Sequence, residues 1–309
     1  MEEVEEKKSL KPFFGGMFFL LVLVLLGVYW FVPIGELEFI STAKNTNFSL
    51  SNSSNMQFYN NLRYPDKEIS YKISDECSLK KKNDAQEALD ILENLTVLNF
   101  YEVNSGEEIT ISCDDEVHYN EEYFIAGEGG PTNIVSTDNF NVIKQGMVLL
   151  IEESNCEFPN VAIHELLHAL GFKHSTNKAN IMYNISKCSQ RIGDDIPSLI
   201  NELYSVESLA DLEIKKSLAK MSGRYLDLNL TIQNQGLQKS GSAVVIIYAD
   251  EENVKEFDLN ELDVGEGVEI SLKNVLINQI NVEEISVEIE SVFEELSKKN
   301  NKIELKVKT

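Results

Sequence analysis

A chain of 309 residues has room for about two soluble domains, and 43% hydrophobic with 25% charged residues is the composition of a folded protein. The formal net charge of -24 argues against nonspecific nucleic-acid binding, because a polyanion would be repelled. No Lys/Arg cluster with interleaved aromatics opposes that reading, so nucleic acid is not an expected partner.

From the N-terminus, residues 1–11 read as a short tail containing Lys7, Lys8 and Lys11. Between Lys11 and Glu36 there is no charged residue, and Phe13, Phe14, Phe18 and Phe19 lead into Leu20–Leu26. A spanning helix needs roughly 20 apolar residues, so residues 12–35 are expected to be a membrane anchor, with Tyr29, Trp30 and Phe31 at its interface. A cleaved signal peptide is the rival, but only the distant Ser41-Thr42-Ala43 offers a cleavage site. The lysines before the segment predict a cytoplasmic N-terminus and extracytoplasmic domains beyond it, a single-pass membrane protein. Residues 36–60, rich in Ser and Asn, read as a flexible stalk.

The first folded domain is expected over residues 61–206. Ile69, Tyr71 and Ile73 alternate as a strand does, and Asp84 to Leu95 carries apolar residues three or four apart, as a helix does. Leu98 to Tyr101 and Glu108 to Ser112 read as short strands, followed by an irregular acidic stretch from Asp114 to Glu128. Gly127 to Pro131 reads as a turn, Thr132 to Ser136 as an edge strand, and Gln145 to Glu152 as a strand buried on both faces. The four cysteines form no CxxC pair, which argues against a four-thiolate metal site. Of the three pairings they allow, Cys77–Cys113 and Cys156–Cys188 is favoured, with free buried thiols the alternative in a reducing compartment.

A helix beginning near Asn160 carries His164 and His168 four apart, so both imidazoles leave one face, a turn apart. Both can reach one zinc ion. Glu165 lies beside the first histidine, placed to take a proton from a zinc-bound water. Gly171 ends the helix and allows the chain to return His174 as a third ligand. Three of the four histidines in the chain fall within these eleven residues.

The run His164 to His174 resembles the metzincin zinc motif HExxHxxGxxH. With Ile181-Met182-Tyr183 only a few residues further on, the stretch resembles the matrixin branch, the matrix metalloprotease type. That resemblance implies an α+β metzincin-like catalytic domain with a twisted mixed sheet and three helices. It implies one catalytic zinc ion and, less directly, a structural calcium ion. It makes Met182 the methionine beneath the histidines and places substrate along Thr132, Asn133, Ile134 and Val135, with Tyr183 a further candidate for substrate binding. Leu167 departs from the pattern, standing where the family has glycine, and Asn184 stands where proline is common.

Residues 207–223 read as a helical connector, because Leu209, Leu212, Ile214, Leu218 and Met221 recur near helical spacing. From 224 to 309 the period changes to two: Leu226, Leu228, Leu230 and Ile232 alternate with polar residues, as do Val268 to Leu272, Ile285 to Ile289 and Ile303 to Val307. This predicts an all-β, immunoglobulin-like sandwich. Asn234-Gln235-Gly236 and Gly265-Glu266-Gly267 within it resemble the cell-adhesion-related CARDB domain. The expected protein is thus a membrane-anchored zinc metalloendopeptidase that cleaves extracytoplasmic protein or peptide substrates. An inactive adhesion or scaffold protein on the same fold, or a zinc hydrolase of a non-peptide substrate, is the alternative.

Overall fold

The computed structural model describes residues 19–22 and 56–305, except 115, 117, 121–122, 152, 154, 223–224, 279–281 and 283. Of the expected anchor, only Phe19–Val22 falls among these residues, and it is helical. Among the described residues no helix is long and apolar enough to cross a membrane. The expected anchor and the topology built on it are therefore withdrawn. The rest of 12–35 lies outside the described residues, as does most of the expected stalk.

The first folded region is a mixed α/β domain. Its sheet runs β1 (Leu62–Arg63), β8 (Asn141–Leu150), β4 (Ile109–Cys113), β2 (Glu68–Ile73) and β3 (Asn99–Glu102), with every pair parallel. One further strand, β7 (Gly127–Ser136), pairs antiparallel with β8. Two short strands, β5 (His118–Asn120) and β6 (Tyr123–Ile125), form a separate hairpin. Inward residues alternate as the sequence predicts: Ile109 and Ile111 are buried while Thr110 is exposed.

Helix α1 (Leu79–Leu95) starts five residues earlier than its apolar spacing indicates, because Ser78 caps it by accepting from the Lys81 amide. Ala85, Ala88, Leu89 and Leu92 then face the core. Helices α2 (Asn160–Ala169) and α3 (Asp195–Leu203) add Ile163, Leu166, Leu167, Ile196, Leu199 and Ile200 to the same apolar cluster. Cys77 is joined to Cys113 with Cα atoms 5.1 Å apart, and Cys156 to Cys188 at 5.2 Å.

The glycine-rich stretch at 127–131 is not a turn. It is the start of β7, and Gly127, Gly129 and Gly130 have no positive φ. The fold also begins earlier than Asn61, since Met56 and Gln57 are buried and Gln57 bridges to Phe172.

Residues 212–222 correct the expectation of a helical connector. They form β9 (Leu212–Ser222), paired antiparallel with β10 (Tyr225–Asn234). A register shift between Thr231 and Ile232 inserts an extra residue into this ladder. The buried set on β9 therefore passes from Leu212 and Ile214 to Ala219. One extra residue in a period of two imitates the three-or-four spacing of a helix.

Strands β9, β10 and β13 (Gly267–Leu276) form one sheet. Strands β12 (Glu252–Leu259), β11 (Ala243–Ala249), β14 (Ile285–Ser291) and β15 (Lys302–Leu305) form the other. Leu226, Leu228, Leu230 and Ile232 share one apolar cluster with Val245, Ile247, Val287 and Ile289 of the second sheet.

Arg63 anchors the C-terminal end of the first domain to β1. It is 2% exposed, and its guanidinium stacks 4.3 Å over the Tyr204 ring. Its Nη1 donates to the carbonyls of Leu203 at 2.5 Å and Val206 at 3.0 Å, and its Nη2 donates to Pro65 at 3.0 Å. Arg63 thus satisfies carbonyls at the end of α3 and in the chain leading to β9. Arg63→Met keeps the stem but orphans those acceptors. It should lower stability by about 3 kcal/mol or more, read as a lower urea midpoint; an unchanged midpoint would refute this role.

Candidate metal centre

Helix α2 is buried over its whole length, from Asn160 to Ala169. Asn160 is its first residue rather than its cap: its side-chain amide donates to the carbonyls of Lys187 and Gln190, which ties the helix start to the loop beyond the histidines. At the other end Gly171 adopts φ +95°, where a Cβ would lie 2.6 Å from Leu62 Cδ2. Both backbone freedom and contact with β1 therefore require glycine here.

His164, His168 and His174 are each 2% exposed or less. Their Nε2 atoms lie 3.0 Å from one another. His164 Nδ1 is 2.7 Å from the Ile181 carbonyl and His168 Nδ1 is 2.7 Å from the Phe172 carbonyl. A carbonyl only accepts, so both Nδ1 atoms carry the proton and both Nε2 atoms present lone pairs. The 3.0 Å between the Nε2 atoms of His164 and His168 is therefore not a hydrogen bond. With His174 Nε2 they converge, spaced so that one ion at about 2.0–2.1 Å from each nitrogen can satisfy all three. Burial, with the neighbouring His174, lowers the His164 imidazole to about 3, and burial with both other histidines also lowers that of His168. Neutral imidazole is the form that binds metal. Among the described residues this is the one group of three or more His, Cys, Asp or Glu side chains placed to hold a metal ion. The acidic cluster that a structural calcium ion would use is not found among them.

The loop carrying His174 is fixed from two sides. The Ser175 amide donates to the Met182 carbonyl at 2.6 Å, and Met182 itself is 2% exposed. Met56 accepts from the Lys173 amide, the Phe58 amide donates to the Gly171 carbonyl, and the Phe58 ring stacks on His168 with centroids 5.9 Å apart. This strap at 56–58 carried no sequence signal, because its contacts lie more than a hundred residues away. Leu167, which departs from the family pattern, is fully buried in the apolar cluster. Tyr183 is half-buried and bridges to Ser175.

Glu165 lies against β7. A Cβ on Gly127 would fall 2.7 Å from Glu165 Cγ, and one on Gly129 would fall 2.2 Å from the Glu165 carbonyl oxygen. The strand residues nearest Glu165 are thus Gly127 to Gly129, while Thr132, Asn133, Ile134 and Val135 lie further along the same strand. Glycine at alternate strand positions was the available signal for this close approach. Burial pushes the Glu165 carboxyl up to about 8, and the Glu128 charge adds to the rise. Positive charge held by the histidines acts in the opposite direction.

His164 and His168 stand on α2 and His174 on the loop after it, so the mixed α/β domain carries one candidate metal centre among the described residues. Residues 63–205 match the matrixin family, Peptidase_M10. Residues 209–305 match the CARDB family. Among solved structures, the CARDB domain of a Pyrococcus furiosus protein in complex with di-metal ions is 15% identical. It covers 32% of this chain and 89% of that one, with a TM-score of 0.28. A domain of a putative cell surface protein from Methanosarcina acetivorans is 17% identical over 31% of this chain and 88% of that one, with a TM-score of 0.26. No curated protein matches the chain.

Gly129→Ala should cost about 1–3 kcal/mol, because strand and helix must separate to admit the methyl group. Gly130→Ala meets nothing within 4 Å and should leave the denaturant midpoint unchanged. Equal midpoints for the two variants would disprove the close approach at Glu165.

Proposed function

We propose that the chain is a zinc-dependent endopeptidase acting on protein or peptide substrates. The observation that carries this reading is the convergence of three buried imidazole lone pairs beside Glu165, under a strand whose other edge is unpaired among the described residues. His164, His168 and His174 hold the ion through Nε2, which suits the nitrogen preference of zinc. Bound there, zinc supplies a Lewis acid that polarises a carbonyl and makes water acidic near neutral pH. Three neutral imidazoles leave its charge undiminished.

Glu165 is the general base. Its carboxylate oxygen takes a proton from the attacking water and later releases it to the departing amine nitrogen. Burial favours this role, since a carboxylate with raised proton affinity is a stronger base. Gly127 and Gly129 let the rim strand sit close enough to define one wall of the cleft. The backbone of Thr132, Asn133, Ile134 and Val135 pairs with an extended substrate by strand addition. Tyr183 borders the opposite side, and Met182 and Gly171 support the loop that presents His174.

Glu165→Gln should lower peptide hydrolysis by roughly 10³-fold, within the range for a lost general base. It should still bind one zinc ion per chain, measured by elemental analysis of purified protein. His168→Ala should lose both zinc and hydrolysis, and chelator should inactivate the wild type. An active Glu165→Gln protein would sink the assignment of the base.

A further inference from the structure

The C-terminal sandwich meets the first domain at the tip of the β7–β8 hairpin. Val135, Phe140 and Val142 of the hairpin share a small apolar cluster with Leu237 and Val264 of the sandwich. Around it, Lys215 pairs with Asp138, and the Asp138 amide donates to Gln235 Oε1 at 2.8 Å. The turn Asp263–Glu266 is held firmly to its own domain. The Gly265 amide donates to the Asn234 carbonyl, and the Asn234 amide donates to the Glu266 carbonyl, each at 2.9 Å. Asn234 is fully buried, and its side chain donates to the carbonyls of Gln238 and Leu262.

Where this turn touches β7 matters. The Thr137 amide donates to the Phe140 carbonyl, which closes the hairpin, while the Asn141 amide donates away from β7 to Asn61. Ser136 and Asn141 are therefore a non-hydrogen-bonded antiparallel pair, and the backbone groups of Ser136 point to the open edge of β7. A Cβ on Gly265 would lie 3.7 Å from the Ser136 oxygen and 2.5 Å from Val135 Cγ1. The sandwich thus stands against the open edge at the end of the strand, and the positive φ of Gly265 (+74°) shapes the turn that reaches it. From Gly129, beside Glu165, to Val135 is at most about 20 Å of strand, and register shifts between Pro131 and Ile134 bend it within that length.

We propose that the β-sandwich is the end wall of the substrate groove. An extended chain pairing with β7 runs from the metal centre to the Asp263–Gly267 turn and must stop or bend there. One arm of the substrate, on one side of the scissile bond, therefore holds about six extended residues. The substrate class is a peptide with a free end on that side, or a protein segment that turns within that distance. This rests on the endopeptidase reading, because the groove is the one assigned above to substrate.

The test uses the full chain and a peptide series built on one cleavage site found by digesting casein. The series is extended residue by residue on each side. On one side kcat/KM should rise to about six residues and then stay flat or fall. On the other it should show no break at that length. Fluorescence anisotropy of the same peptides on the Glu165→Gln chain should show the same break in Kd, and it reads the groove whether or not a bond is cut. Failure to cut casein sinks the endopeptidase reading alone, because the anisotropy series is then built on a casein fragment that binds the Glu165→Gln chain and tests the end wall by itself. Asp138→Lys with Leu237→Ala loosens the sandwich from the hairpin and should move the break to longer peptides. Asp138→Lys with Lys215→Glu keeps the ion pair, reversed, and should leave the break where it was. A smooth length dependence on both sides of the wild type, in rate and in binding, overturns the proposal. So does a break that the loosened variant leaves in place.

Discussion

Three imidazole nitrogens, buried and 3.0 Å apart, are the constraint on which the rest of the structure depends. Nitrogen lone pairs facing one another at this distance repel. Such an arrangement persists only if the surroundings hold each ring in place, and the carbonyls of Ile181 and Phe172 do so for His164 and His168. Those carbonyls belong to a loop that has no regular secondary structure of its own. It is held in turn by Met182, by the strap at Met56–Phe58 and by the contact of Gly171 with Leu62. The order of dependence therefore runs outward, from ring to carbonyl to loop to neighbouring strand.

The same logic explains where side chains are absent. A strand can lie directly on a helix only if no Cβ stands between them, and β7 approaches Glu165 with glycine at 127 and 129. Gly146 on β8 plays a similar part further along, where a Cβ would fall 2.4 Å from the Tyr64 hydroxyl. Omitted side chains thus bring the sheet and the histidine-bearing helix together. That gives one helix residue, Glu165, two neighbours, the metal centre and the strand edge.

The second domain is joined to the first by more than the chain between them. The sandwich turn rests on the hairpin that carries the rim strand, and Ser208, in the chain leading to β9, donates to the Pro65 carbonyl. Neither contact is large, but both end on elements of the metal-bearing domain. The position of the cleft edge is in this sense a property of both domains.

By itself the sequence determined what depends on local spacing. His164, His168 and Glu165 are legible because a helix repeats every 3.6 residues, and β10 is legible because a strand repeats every two. Gly171 is legible as a helix stop because glycine alone adopts its backbone angle at little cost. Where a local irregularity broke the period, the reading failed: one extra residue in β9 made a strand look helical, and glycines in β7 looked like a turn. The apolar run at 12–35 had the composition of a membrane span, but among the described residues no helix is long and apolar enough to cross one. Only the tertiary structure decided which carbonyl orients each imidazole, which strand lies on Glu165, and what stands at the end of β7. Those contacts join residues far apart in the chain, and no periodicity along the sequence encodes a distance through space.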